Sequence, residues 1–258
     1  MRIIAGEFRR RQLHTPKDAE TTRPIPDRVK ESLFGILRGH MEGATIFDAF
    51  AGTGAIGLEA ISRGAARCVF VERDKSAARI LHQNIEMLGV QDRCDVVVGD
   101  ALGLGALSRC PRPVTVAFFD PPYPVVREAL GFRRVMEQAA KVIDLLTPDG
   151  ILVLRTPWPL TLAAAPEAPA EQPRRKRPKR DSRRKNWRDE EAESHHVSRH
   201  VDEPEGDFDG EAHDQDPATP APAPPREPAD LRLANADGPE THVYHQMAVH
   251  LYMRPRGV

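Results

Sequence analysis

The sequence lacks three features that would place the chain in a membrane, secreted or metal-binding class. No run of apolar residues is long enough to cross a bilayer. The first residues carry no apolar signal-peptide core. The three cysteines of this 258-residue chain form no C-x-x-C pair, the spacing typical of zinc and redox sites. We therefore expect a cytoplasmic protein in a reducing compartment, with no metal and no membrane partner.

Apolar residues are also few: aromatics make up 5% of the chain and hydrophobic residues 40%, beside 24 prolines. Much of the imbalance lies in residues 157–230. This stretch is rich in proline and carries ten Lys or Arg between Arg174 and Arg188, followed by twelve Asp or Glu between Asp189 and Asp216. Such a segment buries too little apolar surface to offset the entropy of ordering it. We predict a disordered insertion over 157–230, with its four histidines solvated.

The rest of the chain alternates short apolar strands with helices, the pattern of a parallel sheet covered on both faces. Asp27 is the expected cap of the first helix. Two further strands around Asp237-Gly238 are expected to form a hairpin beside the sheet, so the insertion interrupts one domain. The predicted helices are 28–37, 55–63, 75–88 and 132–146, and the predicted strands are 45–47, 67–71, 95–98, 114–119, 151–155, 231–234 and 243–253.

The first predicted strand ends at Asp48, and Gly52, Gly54 and Gly57 follow as G-x-G-x-x-G. This turn between a strand and a helix fits NAD, FAD and S-adenosylmethionine (SAM) sites alike. A dinucleotide would place its pyrophosphate against the turn, where the Asp48 carboxylate would repel it. SAM carries a sulfonium and an amino group, which a carboxylate attracts. The local charge therefore favours SAM.

Acids also follow the next two strands, and the carboxyl ends of parallel strands are where ligands bind in such sheets. Glu72 lies twenty residues after Gly52, where an acid accepts hydrogen bonds from ribose hydroxyls; an exposed surface acid is the alternative. Asp100 and the amide of Ala101 have the acceptor and donor that the adenine ring needs, and a helix cap is the alternative.

Asp120-Pro121-Pro122-Tyr123 ends the fourth predicted strand. The exocyclic amine of a base is a poor nucleophile, because its lone pair is delocalised into the ring. The Asp120 carboxylate and the Pro121 carbonyl can accept its two N–H groups and leave the lone pair facing a methyl donor. Pro122 stiffens the loop, and Tyr123 offers a face on which the base can stack. The alternative is a plain Pro-Pro turn.

Arginines cluster near the N-terminus, which indicates contact with phosphate backbones. A solvated strand edge, whose charges prevent pairing with other chains, is the alternative. The candidate RNA-binding residues are Arg9, Arg10, Arg11, Arg23 and Arg28.

The motifs together resemble the RsmD family of 16S rRNA guanine-N2 methyltransferases. The segments that carry the resemblance are Met1 to Gly6, Arg23-Pro24, Asp27 to Phe34, Asp48 to Ala60, Ser62 to Ala65, Asp120 to Tyr123 and Leu251 to Arg254. They cover roughly 1–156 and 231–254. The chain departs from the family at Ile25-Pro26, where members usually have Thr after Arg-Pro, and in the insertion.

The resemblance implies a Rossmann-like class I SAM-dependent fold, with a mostly parallel seven-stranded sheet, helices on both faces and a C-terminal antiparallel hairpin. From its composition and predicted elements, the chain divides into a basic extension and helix (1–38), a SAM-binding core (39–156), the insertion (157–230) and the hairpin (231–258). The resemblance implies action on ribosomal RNA or an assembling small subunit, and we expect a monomer. The implied cofactor residues are Asp48, Phe50, Ala51, Gly52, Gly54, Glu72, Arg73, Asp100 and Ala101, and the implied catalytic residues are Asp120, Pro121, Pro122 and Tyr123.

Three other functions remain open from the sequence. The Asp-Pro-Pro-Tyr motif also occurs in enzymes that methylate adenine N6 in RNA or DNA. An NAD(P)-dependent oxidoreductase fits the glycine turn, although Asp48 argues against it. A non-enzymatic RNA-binding protein on a methyltransferase fold is the third, which the acids at four strand ends disfavour.

Overall fold

The computed structural model describes residues 1–16, 25–163 and 226–255. Arg23 and the basic and acidic runs of the predicted insertion therefore lie outside the described residues. Residues 1–165 and 224–258 belong to one structural unit, so the chain leaves this unit and returns to it. In the part of the chain that is described, no helix has the length and apolar content to span a bilayer.

Helices and strands alternate along the described chain. The helices are α1 (Asp27–Ile36), α2 (Gly57–Ser62), α3 (Lys75–Leu88), α4 (Leu104–Arg109), α5 (Tyr123–Arg127) and α6 (Ala129–Ile143). The strands are β1 (Thr45–Asp48), β2 (Arg67–Glu72), β3 (Cys94–Val98), β4 (Val114–Phe119), β5 (Leu146–Pro157), β6 (Thr161–Ala163), β7 (Arg226–Pro228), β8 (Asp237–Tyr244) and β9 (Met247–Met253).

Seven strands form one sheet in the order β3-β2-β1-β4-β5-β9-β8. The first five are parallel, and β9 and β8 are antiparallel additions beside β5. The predicted Rossmann-like class I methyltransferase fold is confirmed. The chain runs outward from β1 through β2 to β3, and then returns to place β4 on the other side of β1. The ends of β1 and β4 thus meet at the switch point where ligands bind in such sheets.

Successive side chains of each strand point to opposite faces, and both faces are covered. Ile46 and Phe118 pack on the face covered by α1, α2 and α3, whereas Phe47 and Phe119 pack on the face covered by α4 and α6. These four side chains are buried. Strands buried on both faces need continuous apolar runs, which the sequence supplies in β1 and β4.

The C-terminal hairpin exists, but its predicted strand pairing is wrong. Tyr244 pairs with Met247 across a two-residue turn, and the left-handed residue of that turn is His245, with φ +51°. Asp237-Gly238 begins β8 instead of forming the turn. The predicted strand 231–234 is not one in the structure: Leu233 packs into the core, and the Leu231 carbonyl accepts a hydrogen bond from Tyr252.

Other elements also differ from the prediction: α6 covers Ala129–Ile143 instead of 132–146, and β5 covers Leu146–Pro157 instead of 151–155. Asp27 is the first residue of α1 and pairs with Arg2 (2.9 Å), so it does not cap the helix. The structure adds two short helices that the sequence did not predict, α4 and α5. At the edges of the predicted insertion, Leu160 is buried and β6 pairs with β7, so the described residues 157–163 and 226–230 include ordered strands.

Candidate active site

The glycine turn between β1 and α2 needs glycine at three positions for different reasons. Gly52 and Gly54 have φ angles of +54° and +90°, which side chains disfavour. A Cβ on Gly54 would lie 2.5 Å from Leu81 Cδ1, and one on Gly57 would lie 2.3 Å from Phe70 Cε1. A Cβ on Gly52 would meet no described atom within 4 Å. Gly54 and Gly57 therefore let the turn pack tightly, while Gly52 faces open space.

Asp48 lies beneath this turn and is only 1% exposed. Its Oδ2 accepts a hydrogen bond from the Gly57 amide (3.0 Å), while Oδ1 has no hydrogen-bond partner among the described residues. Burial raises the pKa of Asp48 to about 7, against the hydrogen bond from Gly57. A buried carboxylate in this state is stabilised by any positive charge placed near it.

Glu72, at the end of β2, holds the other side of the turn. Its Oε2 accepts from the Gly52 amide (2.8 Å) and its Oε1 from the Asp74 amide (2.7 Å). Gly52 and Glu72, twenty residues apart in the sequence, are thus in direct contact. Each carboxylate oxygen keeps a further lone pair for a hydroxyl. Arg73, the next residue, is exposed.

The predicted residues around the turn occupy three different environments. Phe50 is half-buried and packs edge-on against Phe119, with ring centroids 5.9 Å apart. The Ala51 amide donates to the Val71 carbonyl (3.0 Å), which ties the turn to β2. Ala101 is buried, and its carbonyl accepts from Gln138 (2.9 Å).

Asp100 follows β3 and is exposed. Its carboxylate accepts from the Leu102 amide (3.0 Å) and pairs with Arg134 (2.9 Å). The residue that caps α4 is Gly103, so Asp100 does not act as a helix cap. The two hydrogen bonds orient its carboxylate at the same edge of the sheet as Glu72.

Asp120, at the end of β4, is paired with an arginine that the sequence analysis did not select. Arg155 Nε donates to Oδ1 (2.6 Å) and Arg155 Nη2 to Oδ2 (2.8 Å), in a two-pronged contact. Arg155 lies on β5 and is 8% exposed. Burial raises the pKa of Asp120, and the charge and hydrogen bonds of Arg155 oppose that rise. A lone arginine in an apolar strand that must be buried is the signal that could have identified it.

The remaining motif residues surround this pair. Pro121 is buried, Pro122 precedes the first turn of α5, and Tyr123 begins that helix half-buried. The guanidinium carbons of Arg127 and Arg155 lie 5.8 and 5.9 Å from the centre of the Tyr123 ring. The Tyr123 ring therefore lies beside two guanidinium groups at the carboxyl end of β4.

The two halves of the predicted site are neighbours. Asp48 pairs in register with Phe118, two residues before Asp120, and the Ala49 amide donates to the Phe118 carbonyl (2.9 Å). The charge of Asp120 adds to the rise in the pKa of Asp48, after the larger effect of burial. The structure thus brings the glycine turn and the Asp-Pro-Pro-Tyr loop together at adjacent strand ends.

The basic N-terminal segment folds back on itself, with a bridge between Arg2 and Gln12. Arg9, Arg10 and Arg11 are exposed in its turn, and Arg28 is exposed on α1. Arg23 lies in the part of the chain outside the described residues. The structure therefore leaves four of the five predicted RNA-binding side chains accessible.

Buried polar residues that sequence analysis missed hold this segment against the core. Glu59 of α2 accepts from the amides of Ile4 (2.7 Å) and Ala5 (3.1 Å). Asn84 of α3 accepts from the His14 amide (2.7 Å) and donates to the Thr53 carbonyl (2.9 Å). The N-terminal segment is thus joined directly to the glycine turn. Among the described residues, no cluster of His, Cys, Asp and Glu is arranged to hold a metal.

Comparison with known proteins decides the family. The family model described as conserved hypothetical protein 95 matches residues 1–179. The chain belongs to this family, the RsmD methyltransferases. A relative from Escherichia coli K12, ribosomal RNA small subunit methyltransferase D, is 38% identical over 123 residues, which are 48% of this chain and 60% of that protein. The Haemophilus influenzae protein of the same name is 36% identical, over 48% of this chain and 64% of its own length.

Other relatives extend the match. Bacillus subtilis YlbH is 36% identical over 124 residues, which are 48% of this chain and 67% of YlbH. The solved structure of yhhF from Escherichia coli superposes with a TM-score of 0.59, at 23% identity over 100% of this chain and 99% of yhhF. A protein from Thermus thermophilus superposes with a TM-score of 0.56, at 23% identity over 98% of this chain and 99% of that one. These two solved structures share the fold of this chain.

Proposed function

We propose that this protein transfers a methyl group from SAM to the N2 amine of a guanine in 16S ribosomal RNA. The observation that carries the proposal is the juxtaposition of Asp48 and Asp120 at the ends of neighbouring strands. One carboxylate lies under a turn suited to a cationic cofactor, and the other begins a loop suited to an amine. The substrate follows from the family and from relatives named ribosomal RNA small subunit methyltransferase D.

The residues around the glycine turn fit SAM. The unpartnered Oδ1 of buried Asp48 favours a nearby cation, and Gly52 leaves open space above the turn. Glu72, with an oxygen lone pair free for a hydroxyl, would hold the ribose. Asp100 and Ala101 would hold the adenine, while Phe50, Ala51, Gly54 and Arg73 would complete the walls. When bound, SAM would supply an electrophilic methyl group: its S–CH3 bond breaks to leave a neutral thioether, and the methylated amine loses one proton to solvent.

The Asp-Pro-Pro-Tyr loop would hold the guanine. One N–H of the amine donates to the Asp120 carboxylate and the other to the Pro121 carbonyl, which orients the nitrogen lone pair. Pro122 keeps the loop rigid, and the Tyr123 ring stacks on the base. Holding the amine in line lowers the barrier through orientation, because the reacting atoms no longer have to find each other. Tyr123 is half-buried at the strand ends, so the guanine must leave its stack to reach it.

The exposed arginines of the N-terminal turn and α1 would contact phosphates beside the flipped base. Arg9, Arg10, Arg11, Arg23 and Arg28 form this proposed RNA contact. We expect the partner to be ribosomal RNA or an assembling small subunit, and we expect the protein to act in the cytoplasm as a monomer.

Methylation of 16S rRNA from cells that lack the gene tests the function. The full chain and labelled SAM should produce one N2-methylguanine, identified by mass spectrometry. Asp120→Ala should abolish transfer while calorimetry still shows SAM binding, and Asp120→Asn should do the same with less effect on folding. Asp95→Ala is the matched control, because Asp95 also pairs with an arginine, Arg67, but lies at the start of β3.

Three outcomes would contradict the proposal. Methylated adenine in place of guanine would assign the loop to adenine N6. Binding of NAD in preference to SAM would assign the glycine turn to a dinucleotide. SAM binding with no methylated base in any rRNA substrate would favour a non-enzymatic RNA-binding protein.

A further inference from the structure

Arg155 occupies an unusual position for a charged residue. It lies on β5, the strand beside β4, and follows Leu154, which pairs in register with Phe119. Its side chain is only 9% exposed. Burying a guanidinium costs several kcal/mol unless a charged partner and hydrogen bonds compensate it. The contacts of its guanidinium group provide this compensation.

Arg155 contacts both ends of the Asp-Pro-Pro-Tyr motif. Two nitrogens hold the two oxygens of Asp120, at 2.6 and 2.8 Å, which fixes the plane of the carboxylate. The guanidinium carbon lies 5.9 Å from the centre of the Tyr123 ring. A third nitrogen, Nη1, lies 3.9 Å from Met247 Sδ on β9. The side chain therefore links the two ends of the loop to the antiparallel edge of the sheet.

We propose that Arg155 is a positioning residue for methyl transfer: it orients the Asp120 carboxylate and keeps it ionised, so that Asp120 accepts the substrate amine through its remaining lone pairs. The inference rests on the proposed function of the same site. A carboxylate has about four lone-pair positions, so a two-pronged arginine contact leaves room for an N–H donor. With the carboxylate plane fixed, the direction of that acceptor is fixed as well.

The charge of Arg155 has a second consequence. Burial raises the pKa of Asp120, and Arg155 opposes that rise. Without the guanidinium, the carboxyl would take up a proton at higher pH and lose an acceptor position. Arg155 thereby widens the pH range in which Asp120 can hold the amine. Asp48 is the other acid whose charge is coupled to that of Asp120, so the acid limb of the pH profile is compared between variants that all retain Asp48.

The test compares Arg155→Met, which keeps a flexible unbranched stem and removes the guanidinium and its charge, with Arg155→Lys. The rate of guanine methylation at saturating SAM and RNA is measured from pH 5 to 9. We expect Arg155→Met to lower kcat by about tenfold or more at pH 7, with the acid limb of the profile moved to higher pH. Arg155→Lys should restore the acid limb but only part of kcat, because one ammonium cannot hold both oxygens. SAM affinity should change less than about threefold in both variants.

Arg67→Met is the matched control, since Arg67 also donates two hydrogen bonds to an aspartate, Asp95, away from the site. It should leave kcat and the pH profile unchanged. An Arg155→Met variant with the wild-type profile would overturn the inference, and so would an equal loss at every pH in both variants. If Arg155→Met does not fold, the Lys variant decides: full kcat in that variant overturns the inference. Wild-type protein that methylates no guanine would instead overturn the proposed function.

Discussion

Lys30 of α1 and Glu59 of α2 form an ion pair of 3.2 Å in which both side chains are fully buried. Burial lowers the pKa of Lys30, against the attraction of Glu59. Lys30 also donates to the Arg2 carbonyl (2.6 Å), and Arg63 completes the network with Glu59 (2.8 Å). The pair therefore holds the N-terminal segment, α1 and α2 together.

We expect Glu59→Ala to destabilise the protein by about 3–5 kcal/mol, because it leaves the Lys30 ammonium buried without a partner of opposite charge. The amides of Ile4 and Ala5 would lose their acceptors as well. Chemical denaturation measures the loss. The double variant Lys30→Met, Glu59→Leu is the control: it removes both charges and should recover most of the stability. A single variant as stable as the wild type would contradict this role.

SAM binding should release protons near neutral pH. The pKa of the Asp48 carboxyl is raised to about 7 by burial, so about half of these groups are protonated at pH 7. A bound cation stabilises the carboxylate, and the binding step should release about half a proton per site. Calorimetric titration at pH 7 in two buffers of different ionisation enthalpy measures this number. Asp48→Asn should abolish the buffer dependence and weaken SAM binding. A binding enthalpy that is equal in both buffers would contradict the prediction.

His250 should make the protein sensitive to mild acid. It is fully buried between Thr156 and Thr241, each 2.9 Å from a ring nitrogen, and burial lowers its pKa to about 4. A depressed pKa means that the folded state favours the neutral ring. Its contribution to stability is present above the unfolded pKa of about 6.5 and is lost as pH falls from there to about 4.

The size of this effect follows from the shift, at about 3 kcal/mol over that range. Asp48, whose pKa is raised, changes stability in the opposite direction over the same pH range, so the effect of His250 must be measured as a difference between variants. The difference in unfolding free energy between the wild type and His250→Gln should narrow, or reverse, as pH falls from 7 to 4. A difference that stays constant with pH would show that His250 does not titrate in this way.

Alanine substitutions at two glycines distinguish the effect of backbone strain on stability from the effect of a new methyl group on cofactor binding. Gly52 and Gly89 have φ angles of +54° and +68°, and a Cβ on either would meet no described atom within 4 Å. Alanine at either position should cost about 1 kcal/mol of stability, since the left-handed conformation disfavours a side chain. Gly52→Ala alone should weaken SAM binding, by about tenfold or more, because its methyl group enters the proposed cofactor space. Equal effects of the two variants on SAM affinity would place the cofactor elsewhere.

Local signals in the sequence predict most of the parallel core. The predicted bounds of α3, 75–88, are correct: the helix ends at Gly89 in the left-handed conformation, and the structure shows Asp74 as its N-terminal cap. The turn between β8 and β9 could not be predicted in this way, because its left-handed residue is His245 and histidine is not a usual turn residue. Asp237-Gly238 looked like a turn, although it begins a strand.

In the candidate site, too, residues identified by a local pattern could be predicted, whereas contacts between distant segments could not. Asp48, Glu72, Asp100 and Asp120 could be selected because each follows a strand, and the order of strands in a parallel fold brings their ends together. The pairing of Asp120 with Arg155 depends on which strands are neighbours and on the register between them. The burial of Glu59 likewise depends on where the N-terminal segment packs. Neither the Asp120–Arg155 pair nor the burial of Glu59 can be predicted from the spacing of residues along the sequence.

The pairing of Ala163 with Arg226 closes the chain on either side of residues 164–225. Bringing two chain ends together costs closure entropy, and for a flexible linker this cost grows only with the logarithm of the linker's length. Among flexible linkers placed between Ala163 and Arg226, doubling or halving the length should therefore change the free energy of folding by only about 0.6 kcal/mol. The pairing of β5 with β9 should thus tolerate connections of very different lengths at this point of the chain.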